Sequence, residues 1–415
     1  VTFHRSSLHF GRALAVLCVL LAVALLSCGR PVLSASERPA RIYVTDSRLD
    51  RLPLYAAAVK ARQAVSPTIW LVTGDPFADK LLAALSDGAA QEAVLGRAGV
   101  DAMVLTPEWL SFGLPRLNEI VGKGRYYALS SSLVDASNQT IGQPFMVKRS
   151  GPAAIAITGI ALDSTSVLIH LAGVRYVAPG MAAGKSFALM RQRGDLVGVM
   201  VEPHGSGTGW GADFTVNLDT SGAFAMTAAS DTGRINCYDV SPNAGRITAR
   251  SVDLELLQPD SAVARLLDSV GAAVDSLAAR SIALPNGGSD DGHMAGMLIR
   301  GVLASKLADG FLSDSMFVAD FRGPRDVGSL VSQLRYPGRL ALLAVQGDKL
   351  AGWPTELVLR PGLSRAGLSR GQTYRVAVPV DYLQRHPYMV QPGFELSARP
   401  FWTICLDVLE SGSVK

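Results

Sequence analysis

Side chains able to do metal or nucleophilic chemistry are sparse in this chain, and their spacing restricts that chemistry. Past residue 27 there are four histidines, His170, His204, His293 and His386, and no two stand at a ligand spacing. The cysteines, Cys18, Cys28, Cys237 and Cys405, do not fall into the paired spacing of a zinc site. Acidic groups are better placed. Gly74-Asp75 follows the apolar run TIWLVT, and Glu108 follows the short run Ala102 to Leu105. A strand that empties into a loop and then a helix is where α/β proteins position reacting groups. Asp75 has a second reading, as a strand-end aspartate capping a helix that begins near Ala78. The segment Gly180 to Ser186, GMAAGKS, looks like a phosphate loop, but its first glycine is one residue too close to Gly-Lys-Ser. Pro179 and the small residues after it suit a helix N-terminus, and the segment is assigned to one.

Those groups are carried by alternating strands and helices. RIYVT (Arg41 to Thr45) reads as a first strand, Leu54 to Ala64 as a helix, and Thr68 to Thr73 as a second, buried strand. In DAMVLTPEWLSFGLPRLNEI (Asp101 to Ile120) an apolar strand precedes a Pro-broken loop and an amphipathic helix with Leu114, Leu117 and Ile120 on its inner face. RYYALSSSL, Ala153 to Leu162 and Leu196 to Glu202 add strands, so apolar sheets covered by helices are expected. From Asp260 to Ser281 one long helix carries Val263, Leu266, Leu267, Val270, Val274 and Leu277 at three-four spacing, with Asp260 or Ser261 as its N-cap. The Gly- and Asp-rich loop 284–292 breaks the chain there. Beyond it come a helix from Met294 to Ala308, a strand Arg339 to Gly347, and YRVAVPVDYL (Tyr374 to Leu383).

The 415 residues suffice for two domains, and 48% hydrophobic content with 18% charge is on the apolar side for a soluble protein. Part of that excess is the run Ala13 to Leu26 behind Arg5 and Arg12, too short and one-sided for a membrane span, which reads as a secretory signal. It ends in Leu25-Leu26-Ser27-Cys28, which resembles the cleavage box of bacterial lipoproteins; a plain secreted protein or an uncleaved anchor are the alternatives. With two of the 39 basic residues in that signal, 37 remain against 35 acidic ones, with no basic stripe, which argues against a nucleic-acid partner. Cys237 and Cys405 read as two buried thiols, with pairing outside the cytosol as the alternative.

The 101–120 stretch resembles the 5'-nucleotidase family, two-metal phosphohydrolases that include periplasmic UDP-sugar hydrolase. The family typically reads DAMTLGNHEFDYGLDRL there. Asp101-Ala102-Met103, Leu105, Gly113-Leu114 and Arg116-Leu117 match without a gap. Leu340 to Leu350, Tyr374 to Ala377 and Asp381-Tyr382-Leu383 resemble its C-terminal phrases, so the likeness covers roughly residues 40 to 400. It implies an α/β fold: a four-layer αββα metallophosphatase-like sandwich and a smaller C-terminal α/β domain joined by a long linking helix. The expected division is a lipoprotein signal at 1–27, a tether at 28–40, the metallophosphatase-like domain at 41–259, the linking helix at 260–281, and a 5'-nucleotidase C-terminal-like domain at 282–415.

The family's catalytic letters are replaced. Its Asp-x-His falls on Ser47 and Leu49, or with a one-residue slip on Asp46 and Arg48, and a guanidinium cannot ligate a cation. Gly74-Asp75-Pro76-Phe77 keeps the carboxylate that would bridge two metals. The Asn-His-Glu loop becomes Pro107-Glu108-Trp109, with Glu108 at the catalytic imidazole's position. Glu202 stands where a ligand histidine is expected, with His204 two residues on, and Asp219 lies where Gly-Gly-His-x-His belongs. Of the phosphate-holding and base-stacking phrases only Arg322 persists, with Tyr336, Arg385 and Tyr388 as a possible aromatic and cationic pocket or as ordinary rim residues.

Three functions follow. One is a non-catalytic relative on the bacterial cell envelope, membrane-anchored through lipid on Cys28, which binds a nucleotide or nucleoside, or an envelope protein, without a cofactor. Another is a phosphohydrolase with an oxygen-only site built from Asp75, Glu108, Glu202 and Asp219, preferring Mg²⁺, Mn²⁺ or Ca²⁺ to zinc. The last is an envelope scaffold docking through exposed Trp109, Trp210 and Trp353.

Overall fold

The computed structural model describes residues 39–411, apart from 78, 124, 151–152, 163–165, 167, 170–172, 203–209, 218–224, 230–232, 242–245, 283–290, 313–324, 335–337, 355–356, 387–388 and 390–393. The chain opens with β1 (Ala40–Asp46), helix α1 (Leu52–Gln63) and β2 (Thr68–Thr73). All six residues of β2 are buried, as a strand covered on both faces requires. Helix α2 (Lys80–Ser86) starts at Asp79, whose carboxylate accepts the Leu82 N–H, and ends at Asp87 and Gly88, both in the left-handed region. Helix α3 (Ala89–Ala98), β3 (Ala102–Val104), a 3-10 turn over Pro107–Phe112 and helix α4 (Leu114–Gly122) follow. The RYYALSSSL segment divides into β4 (Tyr127–Leu129) and β5 (Leu133–Val134).

Next come β6 (Phe145–Ser150), β7 (Ala153–Ala161), β8 (Arg175–Tyr176), helix α5 (Pro179–Met190) and β9 (Leu196–Glu202). The phosphate-loop look-alike is therefore the first turns of α5. Strands β10 (Phe214–Asn217), β11 (Ala225–Thr227), β12 (Arg234–Ser241) and β13 (Arg246–Asp253) lead to helix α6 (Ser261–Ala278). The remainder is α7 (Asp291–Ala304), β14 (Gly310–Leu312), α8 (Val327–Gln333), β15 (Arg339–Gln346), α9 (Gly347–Ala351), β16 (Leu357–Leu359), β17 (Thr373–Pro379), α10 (Val380–Arg385), β18 (Glu395–Pro400) and α11 (Phe401–Ser411). Helix α7 stops at Ala304 rather than running to Ala308, because Lys306 takes a positive φ and its N–H donates to the Leu303 carbonyl, three residues back, in place of the helical bond four residues back. The YRVAVPVDYL phrase is strand β17 up to Pro379 and helix α10 after it.

Two sheets stack. One has the order β13-β12-β1-β2-β3-β4, with β1 to β4 parallel; the other is β11-β10-β9-β7-β6. Ile42, Val44, Ile69, Leu71 and Val104 of the first meet Ile155, Ile157, Met200 and Phe214 of the second. Outside the first sheet, Tyr43, Trp70 and Met103 pack against α1, α3 and α4, and outside the second, Val197, Val199 and Val201 pack against Ala183, Phe187 and Met190 of α5. This is the expected helix–sheet–sheet–helix order. Phe214 seats its ring over Gly198, where any Cβ would lie 2.3 Å from it. A third sheet, β16-β14-β17-β15-β18, packs against α7, α8 and α11, and Leu81, Ala84 and Leu85 of α2 enter that core. The Trp402 indole N–H donates to the Ala84 carbonyl at 3.1 Å, tying α11 to α2.

Asp260 caps α6 by accepting the Ala262 and Val263 N–H groups and pairs with Lys60 at 2.9 Å. The apolar stripe of α6 is less covered than its pattern suggests. Val263 is buried, while Leu266, Leu267, Val270, Val274 and Leu277 are at most half-buried. Cys237 and Cys405 are free, buried thiols. No helix among the described residues is long and apolar enough to cross a membrane.

Candidate functional site

Parallel pairing sets the site's location. In register, Asp46 of β1 faces Thr73 of β2, and β3 continues the order, so three strands deliver their C-terminal ends to one edge. The second sheet brings the end of β9 to the same edge. There the Gly74 N–H donates to Glu202 Oε1 at 2.9 Å, bridging the two sheets. The Ser47 hydroxyl donates to the Asp75 carbonyl at 2.8 Å, bridging β1 and β2.

The acidic groups are held by protein partners. Asp46 Oδ2 accepts from Arg48 Nε at 3.0 Å, and its Oδ1 accepts from the Tyr55 hydroxyl at 3.2 Å. Asp75 Oδ1 accepts the Phe77 N–H at 2.8 Å. Asp75 therefore does not cap the next helix; Asp79 does, because α2 begins only at Lys80. Glu202 is 2% exposed, and burial, opposed by the Gly74 N–H and reinforced by the nearby Glu108 charge, pushes its pKa up to about 7. Partial desolvation of the Asp75 carboxylate, opposed by the Phe77 N–H and reinforced by Glu108, raises its pKa too, although the residue as a whole is exposed. Glu108 is exposed on the 3-10 turn.

Beneath Glu108 the floor is aromatic. Trp109 is fully buried, edge-on to Phe77 at 5.1 Å and to Tyr126 at 6.4 Å, and Phe77 meets Phe112 at 4.7 Å. The expectation of Trp109 as an exposed docking anchor is thus corrected: the 3-10 turn rotates it inward while Glu108 points out. Trp210 and Trp353 are half-buried.

The structure brings Asp75, Glu108 and Glu202 to one neighbourhood, with Asp46 held apart by Arg48 and Tyr55. His204, Asp219, Arg322, Tyr336, Tyr388 and Cys28 lie outside the described residues, as does His170. Arg385 sits with its guanidinium 5.7 Å from the Tyr382 ring centre, and His386 stacks on the same ring at 4.2 Å.

Several residues at this edge carried no sequence signal. A cavity of about 260 Å³ opens between the strand ends and the third sheet, lined by Asp75, Phe77, Lys80, Glu108, Phe112 and Arg339 among others. Arg339 reaches across from β15 to Asp87, with Nη2 3.0 Å from Oδ2, and also donates to the carbonyls of Ser397 and Ala398. Its Nε is buried without a partner among the described residues. Arg116 Nε donates to the Asp87 carbonyl at 3.0 Å. Arg339 opens an apolar strand, where an arginine looks like an edge charge; only a contact across 252 residues gives it this place.

A two-metal centre needs imidazoles or several free carboxylate oxygens converging within a few ångströms. The described residues do not fit it. The oxygens of Asp46, Asp75 and Glu202 named above are already acceptors of protein N–H or O–H groups, and no three His, Cys, Asp or Glu side chains among the described residues are grouped to hold an ion.

No protein-family model matches the chain, and comparison with curated proteins gives no match. Among solved structures the chain is similar to a 5'-nucleotidase precursor from Thermus thermophilus (14% identity, 91% of this chain and 97% of that one, TM-score 0.51). It is similar to a putative 5'-nucleotidase from Staphylococcus aureus (10% identity, 91% and 98%, TM-score 0.54). It is also similar to the NAD nucleotidase of Haemophilus influenzae (12% identity, 90% and 96%, TM-score 0.50). At such identities the likeness speaks for architecture, and it spans about nine-tenths of the chain: the protein has the mixed α/β fold of the 5'-nucleotidases.

Proposed function

We propose that the protein is a non-catalytic binding protein on the 5'-nucleotidase scaffold, tethered to the bacterial cell envelope by lipid on Cys28, and that it takes a nucleotide-like ligand without a metal cofactor. One observation carries this reading. At the strand ends where the fold's enzymes place metal chemistry by resemblance, Asp46, Ser47, Asp75 and Glu202 hold the protein's own groups: Arg48 and Tyr55, the Asp75 carbonyl, the Phe77 N–H and the Gly74 N–H. Oxygens engaged in this way stitch loops together. The 260 Å³ cavity beside them offers the rings of Phe77 and Phe112 and the Lys80 ammonium, against the carboxylates of Asp75, Asp87 and Glu108: apolar surface for a flat ring, with Lys80 as the contact for its negative charge.

The mutual proximity of Asp75, Glu108 and Glu202 favours a second reading, a phosphohydrolase that binds Mg²⁺, Mn²⁺ or Ca²⁺ through oxygen alone. Metal analysis, and phosphate release from AMP, UDP-glucose and an aryl phosphate with Mg²⁺, Mn²⁺ or Zn²⁺ supplied, separate the two. The first reading expects no retained metal, no turnover, and thermal stabilisation by nucleotide that weakens in Lys80→Ala. Turnover that requires metal and disappears in Asp75→Ala selects the second. Cys28→Ser is expected to move the protein from the membrane fraction to the soluble one.

A further inference from the structure

A groove of about 750 Å³, bounded at one end by Ser47, Arg48, Asp75 and Pro76 of the strand-end loops, runs between α2 and α6. Its walls are apolar, with Leu81 and Leu82 on one side and Leu267 and Val274 on the other. In the middle of the α6 wall stand Gly271 and Ala272, and a Cβ added at Gly271 would meet no atom within 4 Å. The gap explains why the α6 stripe is only half covered: nothing in the described protein fills the space in front of it.

The rim is mostly acidic. Asp50, Asp75, Asp79, Asp268 and Asp275 line it, and the single lining cation among the described residues, Arg48, is already paired with Asp46. Asp50 lies 3.6 Å from Arg51 Nε, and Asp75 and Asp79 accept the Phe77 and Leu82 N–H groups, which leaves Asp268 and Asp275. Asp268 and Asp275 lie seven residues apart on one face of α6, about 10 Å along the helix. Neither side chain has a hydrogen bond or ion pair among the described residues, whereas the basic residues flanking them, Arg265 and Arg280, bond to the Ser261 carbonyl and to Glu410.

We propose that this groove docks a positively charged amphipathic polypeptide segment of another protein. The apolar side of the segment lies over Gly271 between Leu81 and Val274, and its Lys or Arg side chains pair with Asp268 and Asp275. Charge complementarity selects that occupant. An apolar partner alone would leave the carboxylates desolvated beside it, and an acidic one would be repelled. The groove and the cavity share only Asp75 in their linings, and the variants used below touch neither Asp75 nor the cavity, so the two assignments fail separately.

The probe is a fluorescent Leu/Lys helical peptide of about 14 residues, roughly 21 Å long as a helix. It is titrated by anisotropy onto the full chain at low and physiological salt. A scrambled peptide of the same composition, a Leu/Glu peptide and spermine serve as competitors. The expected result is saturable binding that weakens as salt rises. The double variant Asp268→Asn/Asp275→Asn should weaken it about tenfold. Gly271→Leu, whose Cβ would meet no atom within 4 Å and whose side chain projects into the groove, should weaken binding while leaving its salt dependence unchanged. Circular dichroism verifies that both variants fold. The proposal is overturned if the peptide does not bind, if neither variant weakens it, or if the scrambled peptide or spermine competes equally well.

Discussion

Two acidic regions meet at Asp75, and they treat their carboxylates in opposite ways. At the strand ends, Asp46, Asp75 and Glu202 accept bonds from side chains and backbone N–H groups. On α6, the Asp268 and Asp275 side chains accept none among the described residues and face an open groove. An acidic side chain with a protein partner is part of the fold's cohesion, and removing it exposes an unpaired donor. One without a partner contributes little to stability and is available to something outside. The strand-end carboxylates are thus engaged with the protein's own groups, whereas the unpartnered acidic charge lies on α6.

That contrast can be broken or sharpened by substitution, beginning with the largest effect. Trp109→Ala empties a fully buried site under the strand-end turn and is expected to cost about 3–5 kcal/mol in denaturant unfolding. A loss under about 1 kcal/mol would mean the aromatic floor does not hold that edge together.

Glu202→Gln keeps an acceptor for the Gly74 N–H and removes the ionisation. A carboxyl whose folded pKa of about 7 lies above its ordinary 4.5 favours the folded state while protonated. Its contribution is complete below about 4.5 and is lost as pH rises through 7. The wild-type chain should therefore lose on the order of 1–3 kcal/mol relative to the Gln variant between about pH 4.5 and 8. Melting curves of both proteins at those pH values give the difference directly, and parallel curves would remove Glu202 from the structural group.

Ser47→Ala breaks the bond between β1 and β2 ends and should cost about 0.5–1.5 kcal/mol, read from a urea midpoint. The smallest change is expected on α6. Asp268→Asn/Asp275→Asn should leave stability within about 0.5 kcal/mol, since neither side chain holds anything among the described residues. A drop of several kcal/mol there would erase the distinction between the two regions.

Much of the framework is legible in the sequence. Four apolar residues between Thr68 and Thr73, bounded by Pro67 and Gly74, make β2, and Asp260 followed by a three-four apolar pattern makes α6 and its cap, because both signals are local and backbone geometry reads them directly. The site is legible only as a set of replaced letters at strand ends. Spacing alone lets Asp75 read as a helix cap, but Asp79 takes that role, since one undistinguished residue more or less moves a helix start. Trp109 reads as an anchor on the surface, and neighbouring Glu108 and Trp109 could exchange faces without changing the local pattern.

By itself the sequence determined which segments are strands and helices and which of their faces are apolar, since side-chain direction repeats every two residues in one and about every 3.6 in the other. It also determined that imidazole is scarce. Only the tertiary structure decided that Glu202 serves Gly74 across 128 residues, that Arg339 reaches Asp87, and that the stripe on α6 is left half covered. Periodicity specifies a face but not what comes to lie against it; that depends on how distant segments pack, and no local spacing encodes it.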